Sequence, residues 1–106
     1  MVRVIIEHQV KDSKNVESVL DLIRELRNEA MKRQGYITGE TLVNTEDTRN
    51  ILVISTWHDL KNWQDWDTSE TRLKITEGIK PLLVKPYTVR TYRYHLVREK
   101  RVWSTF

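Results

Sequence analysis

The chain contains no cysteine. This rules out a disulfide framework, a thiolate metal ligand and a cysteine nucleophile together. It also points to the cytoplasm, because small secreted domains commonly rely on disulfide cross-links. With 3 glycines and 2 prolines, there is no Gly-rich phosphate loop and no Pro-rich linker. Long apolar runs are missing too. No stretch approaches the roughly 20 residues of a membrane span. The opening Met1-Val2-Arg3-Val4-Ile5-Ile6 meets Glu7 and His8 too soon for a signal-peptide core. There is no HExxH or other clustered metal motif, and His8, His58 and His95 are far apart in sequence.

What is present describes one globular domain. Of 106 residues, 39% are hydrophobic and 31% charged, a balance that excludes disorder. So short a chain leaves much apolar surface exposed unless it pairs. The net charge is +3, but the 18 basic and 15 acidic residues are interspersed. Only Arg98, Lys100 and Arg101 gather as a basic block. This is a solvated surface, with no recognition motif for nucleic acid.

Val2, Val4, Ile6, His8 and Val10 alternate along one face of a first strand. Lys11 to Asn15 breaks the pattern with good capping residues. Val16, Val19, Leu20, Ile23, Leu26, Ala30 and Met31 then recur at helical spacing. Gly35 is expected to end that helix. Tyr36 to Asn44, a polar turn, and Ile51 to Trp57 predict an antiparallel hairpin, with a possible bulge at Gly39. Leu60 to Lys80 is helical in character. Asp59 can cap its start, and Thr68 or Ser69 can cap a second segment. Leu73, Ile75 and Ile79 are its apolar side. Tyr87 to Val97 is a fourth strand.

The order β-α-β-β-α-β predicts an α+β, ferredoxin-like domain over residues 1–97, its helices on one face of an antiparallel sheet. The other face then presents Ile5, Tyr92 and Tyr94, and a second copy is the simplest cover. The tail, residues 98–106, carries Val102, Trp103 and Phe106 and is expected to pack across the partner of a homodimer.

The segment Trp57-His58-Asp59-Leu60-Lys61-Asn62-Trp63-Gln64-Asp65-Trp66 places three tryptophans in ten residues. Trp63 and Trp66 share a helix face. Indoles supply flat apolar walls and one N–H donor each. Trp57 and Trp63 read first as core. Trp66, beside the polar run Asp65 to Thr68, is expected to approach solvent. Asp59, Asp65 and Asp67 read as helix-end carboxylates.

Trp57 closing the third strand, Gly35-Tyr36 opening the second, and the aromatic-x-x-Trp-x-x-Ser pattern from Trp63 to Ser69 resemble the antibiotic biosynthesis monooxygenase family. The resemblance spans Val2 to about Val97. It implies a dimeric α/β barrel with a pocket between sheet and helices in each subunit. It also implies a cofactor-independent monooxygenase that oxidises a small aromatic or quinol-like substrate with O2, using neither flavin nor metal. Some members of the family degrade haem, with an Asn on strand one, a Trp, and a ligating His. Here those positions hold His8, Trp66 and Thr76, so two of the three are missing.

The expected catalytic pair is therefore His8 and Trp66. His8 lies on the helix-facing side of strand one and titrates in a useful range for a base. A core histidine held by a backbone carbonyl is the plainer alternative. Trp66 can stack on a ring or donate its N–H. Trp63, Asn62 (one turn before Trp66) and Thr76 are expected to contact substrate, although a helical threonine more often bonds its own backbone. A binding module that kept the pocket without the chemistry is the alternative function.

Overall fold

The computed structural model describes residues 1–95. The expectation for the tail, and for the last residues of the fourth strand, lies outside them. Strand β1, Val2–Gln9, alternates as its sequence predicts: Val2, Val4, Ile6 and His8 are buried, and Arg3, Ile5, Glu7 and Gln9 are not. Asp12 accepts a hydrogen bond from the Lys14 amide at 3.0 Å and starts a short 3-10 turn. Helix α1, Val16–Ala30, follows. It buries Val16, Val19, Ile23, Leu26 and Ala30, while Met31 is exposed.

Gly35 does not end this helix. α1 stops at Ala30, and Gly35 takes its positive φ of 86° in the turn that enters β2, where its carbonyl accepts the His58 amide. Strands β2, Tyr36–Val43, and β3, Asn50–Trp57, form the expected hairpin. Its turn is closed locally: Asn44 Oδ1 accepts the Glu46 and Asp47 amides. The register shift lies between Tyr36 and Thr38, and Gly39 pairs regularly with Ser55.

Two helices succeed β3. Helix α2, Leu60–Asp67, is capped by Asp59, which accepts the Asn62 amide at 3.0 Å. Helix α3, Glu70–Ile79, is capped by Ser69, which accepts the Arg72 amide at 3.2 Å. Thr68 instead closes α2, donating to the Gln64 carbonyl. The inward face of α3 is Arg72, Thr76 and Ile79, three residues at i, i+4 and i+7. Leu73, expected inside, is 48% exposed. Strand β4, Thr88–Arg93, completes the fold.

The sheet order is β2-β3-β1-β4, antiparallel throughout. This is the α+β, ferredoxin-like arrangement. One core lies between the sheet and the helices, with Val4, Val10, Val19, Ile51, Trp57 and Ile79 fully enclosed. The opposite face of the sheet carries Leu42, Tyr92 and Tyr94, all well exposed. Among the described residues, no helix is long and apolar enough to cross a membrane.

Candidate functional site

The register of the sheet leaves a gap under the helices. Gly39 stands beside Ser55 on the inward face, so two small residues meet where neighbouring positions carry Val53 and Trp57. A Cβ at Gly39 would collide with the Tyr36 hydroxyl, so glycine is required for that ring to lie across the strand. The result is a cavity of about 50 Å³ between sheet and helices. Ile6, His8, Val53 and Ser55 form its floor, and Ile23, Leu26 and Ala30 of α1 form one wall. Trp63, Trp66, Arg72 and Thr76 come from α2 and α3, and Tyr87 precedes β4.

His8 is 3% exposed. Its Nδ1 lies 3.3 Å from the Ile51 carbonyl oxygen. A carbonyl only accepts, so Nδ1 donates and Nε2 keeps its lone pair. The imidazole pKa is lowered from 6.5 to about 4, chiefly because burial penalises the cation. The nearby Arg72 charge acts in the same direction, and the Ile51 hydrogen bond opposes both. His8 is therefore a neutral ring at neutral pH, and its face tilts towards Tyr87 at a centroid distance of 5.5 Å.

Trp57 is wholly buried and donates its indole N–H to Ser55 Oγ at 3.0 Å. Tyr36 and Trp63 meet it edge to face, at 5.3 and 6.0 Å. Trp66 does not approach solvent as expected; it is 3% exposed. The reason is Arg33, from the irregular segment after α1, whose guanidinium lies 5.1 Å from the indole centroid. A polar neighbourhood in sequence is thus compatible with a covered ring in space.

Arg72 is the residue that sequence reasoning missed. It is 4% exposed, inside a helix, and faces the cavity. Its Nε donates to Asp67 Oδ1 at 3.1 Å. Its Nη2 is 3.5 Å from the Tyr87 hydroxyl. The guanidinium also lies against Trp63 and Tyr87, at 5.1 and 5.7 Å from their centroids. Arg27 lines the cavity as well, but its Nη2 is engaged by Thr41 Oγ1 at 2.6 Å. No aspartate or glutamate is among the described residues that line the cavity.

Of the residues singled out in the sequence, His8, Trp63, Trp66 and Thr76 line this one cavity. Thr76 is buried there, with its hydroxyl donating to the Leu73 carbonyl at 3.1 Å. Asn62 is not among them. It packs against Gly35 and borders a separate surface groove with Gln34, His58 and Asp59. The i to i+4 spacing does put Asn62 near Trp66 along the helix, but Asn62 borders the groove by Gly35 while Trp66 borders the cavity. Tyr87 joins the site because the alternation of β4 continues one residue before the strand: Ile6 faces Val89, which puts Tyr87 beside His8.

A family model for antibiotic biosynthesis monooxygenase matches residues 1–77, from β1 into α3. No curated protein matches the sequence. Similar solved structures include an antibiotic biosynthesis monooxygenase with 20% identity, covering 91% of this chain and 100% of that one, at a TM-score of 0.81. A conserved protein from Methanosarcina mazei Go1 shares 22% identity over 89% of this chain and 92% of its own, at 0.82. SnoaB, a cofactor-independent oxygenase from Streptomyces nogalater, is 9% identical over 93% of this chain and 97% of its own, at 0.80. At such identities the structural likeness establishes the fold alone, whereas the sequence match extends over most of the chain. The chain belongs to the antibiotic biosynthesis monooxygenase family.

Proposed function

We propose that the protein is a cofactor-independent oxygenase acting on a small aromatic, quinol-like molecule. The observation that carries this reading is the meeting of His8 and Trp66 on one enclosed, largely apolar cavity. Oxygen reacts directly with an organic molecule only when that molecule is a good electron donor, and a phenolate is one. A base with an unshared pair, a flat aromatic wall and shielding from water are the parts such a reaction needs. In the overall change, a phenol gives up its O–H and one ring C–H hydrogen and becomes a quinone; one oxygen atom enters the product and the other leaves as water with the two hydrogens.

His8 is a weak base for this work. Drawing a proton from a phenol of pKa about 10 onto an imidazole of pKa about 4 costs about 8 kcal/mol. The oxyanion must therefore be stabilised where it forms. Size sets a second condition. A single benzene ring needs a cavity of roughly 150 Å³, against about 50 Å³ here. A substrate enters only as the walls move apart. The same fullness favours a second reading, a small-molecule binding module on the family fold that does no chemistry.

Oxygen uptake on a reduced naphthoquinol separates the two. Uptake by the wild type should exceed autoxidation in buffer, and Trp66→Phe should lower the enzymatic part about tenfold, the loss of one indole contact worth about 1.4 kcal/mol. Uptake no faster than buffer would leave the binding module.

We infer further that the working unit is a homodimer. The exposed Tyr92, Tyr94 and Leu42 lie on the sheet face that no helix among the described residues covers, where Arg3, Ile5 and Ile54 border an open hollow of about 300 Å³. A small domain gains most by pairing such a face. Light scattering at micromolar concentration should give twice the 12.7 kDa of the chain. A stable monomer would contradict the inference.

A further inference from the structure

Arg72 is costly to place where it stands. A guanidinium has five N–H donors and no acceptor. Among the described residues, Nε is satisfied by Asp67, Nη2 has only the long contact to the Tyr87 hydroxyl, and Nη1 has no partner. Yet the side chain is 5% exposed. Asp67 is 41% exposed and approaches Nε alone, which leaves the rest of the fork directed at the cavity. Trp63 and Tyr87 lie against the group on the cavity side. A largely buried cation whose fork keeps a free donor at a cavity favours an acceptor there. The cavity provides no carboxylate to be that acceptor; besides Arg72 its polar lining is His8, Arg27, Ser55 and Thr76, and the rest is mostly aromatic and aliphatic.

We propose that Arg72 is the oxyanion-binding residue of this cavity, and that the cavity takes a flat aromatic molecule as its anion, phenolate or carboxylate. This rests on the reading of the cavity as the substrate site, and deepens it by naming the ionic form of the ligand. A planar fork suits an oxyanion, and an enclosed position strengthens the pairing. The neutral His8 beside it fits the same purpose, since it keeps an acceptor next to the ring without competing for the negative charge. Thr76, with its hydroxyl committed to Leu73, adds no charge of either sign.

The test is the ratio of affinities for matched probes, measured by calorimetry at neutral pH without turnover. The probes are 2-naphthoate, its neutral counterpart 2-naphthamide, and 2,4-dinitro-1-naphthol, which is ionised at that pH. Wild-type protein should bind at least one anion about 30-fold more tightly than the amide. Arg72→Gln should bring the ratio close to one, and Arg72→Lys should keep part of it. A purely structural Arg72 would change stability and leave the ratio alone. Should Arg72→Gln fail to fold, the wild-type ratio and the Arg72→Lys variant still decide the matter. Preference for naphthoate alone identifies a carboxylate, and preference for the naphtholate alone a phenolate. Equal affinity for the amide, an unchanged ratio in the variants, or binding of no probe would overturn the proposal. Oxygen uptake on the naphthoquinol without an anion preference would sink Arg72 and leave the oxygenase standing. An anion preference without oxygen uptake would do the reverse.

Discussion

Lowering the pH from 7 to 4 is expected to cost the fold about 3 kcal/mol through His8 alone. The ring is buried and its pKa is lowered from 6.5 to about 4, and each pKa unit is worth about 1.4 kcal/mol. The sign follows from proton uptake. Above pH 6.5 the imidazole is neutral in both the folded and the unfolded chain, and His8 contributes nothing to the pH dependence. Between 6.5 and 4 the unfolded chain binds the proton and the folded one does not, so stability falls with pH and levels off below 4. Carboxylates titrate in part of this range as well, so the comparison is with His8→Gln, which keeps a hydrogen-bonding side chain and cannot titrate. Urea unfolding at several pH values should show the wild type losing about 3 kcal/mol more than the variant. Parallel losses would mean that the folded imidazole titrates normally. For the proposed activity, the same lowered pKa keeps the base form present at neutral pH, so no rate limb near 6.5 should arise from His8 in the free protein.

Trp57→Ala should destabilise the protein by about 4 kcal/mol. Trp57 is fully enclosed at the end of β3, meets two aromatic rings edge to face, and fixes Ser55 through its N–H. Its strand partners, Tyr36 in the β2–β3 ladder and Val2 in the β1–β3 ladder, are held in register, which limits collapse into the space. For a domain whose total stability is about 5–15 kcal/mol, this is a large fraction. Trp57→Phe keeps a ring and should cost roughly half as much. The midpoints of thermal or urea unfolding read out both. A loss below about 1 kcal/mol for the alanine variant would show that the site repacks freely.

Strand β1 was plain in the sequence because period-two alternation depends only on neighbours along the chain: Val2, Val4, Ile6 and His8 all face the helices. Helix α1, the hairpin and the caps at Asp59 and Ser69 were legible for the same reason, since each is a local arrangement. What failed was whatever distant partners decide. Trp66 looked exposed among polar residues, and Arg33, about a third of the chain away in sequence, covers it. Arg72 looked like one more surface arginine, because the groups that hold it are Asp67 and Trp63 of the preceding helix together with Tyr87, which lies beyond the end of α3. Its spacing from Thr76 and Ile79 was the available signal, masked by the more apolar Leu73. Gly35 was assigned to the nearest helix end, whereas its φ of 86° serves the next strand.

The placement of β1 at the interior of the sheet has a consequence for how the chain acquires its shape. Both neighbours of this first strand arrive late: β3 begins at residue 50 and β4 at residue 88. Only the β2–β3 hairpin can form from contacts close in sequence. During synthesis, the earliest strand must wait with both edges open until β3 has been made, and with one edge open until β4 follows. Such long-range closure slows folding relative to a helical chain of equal length. It also leaves the apolar residues of β1 open to wrong partners in the interval, which makes this strand the segment where aggregation of nascent or destabilised chains should begin.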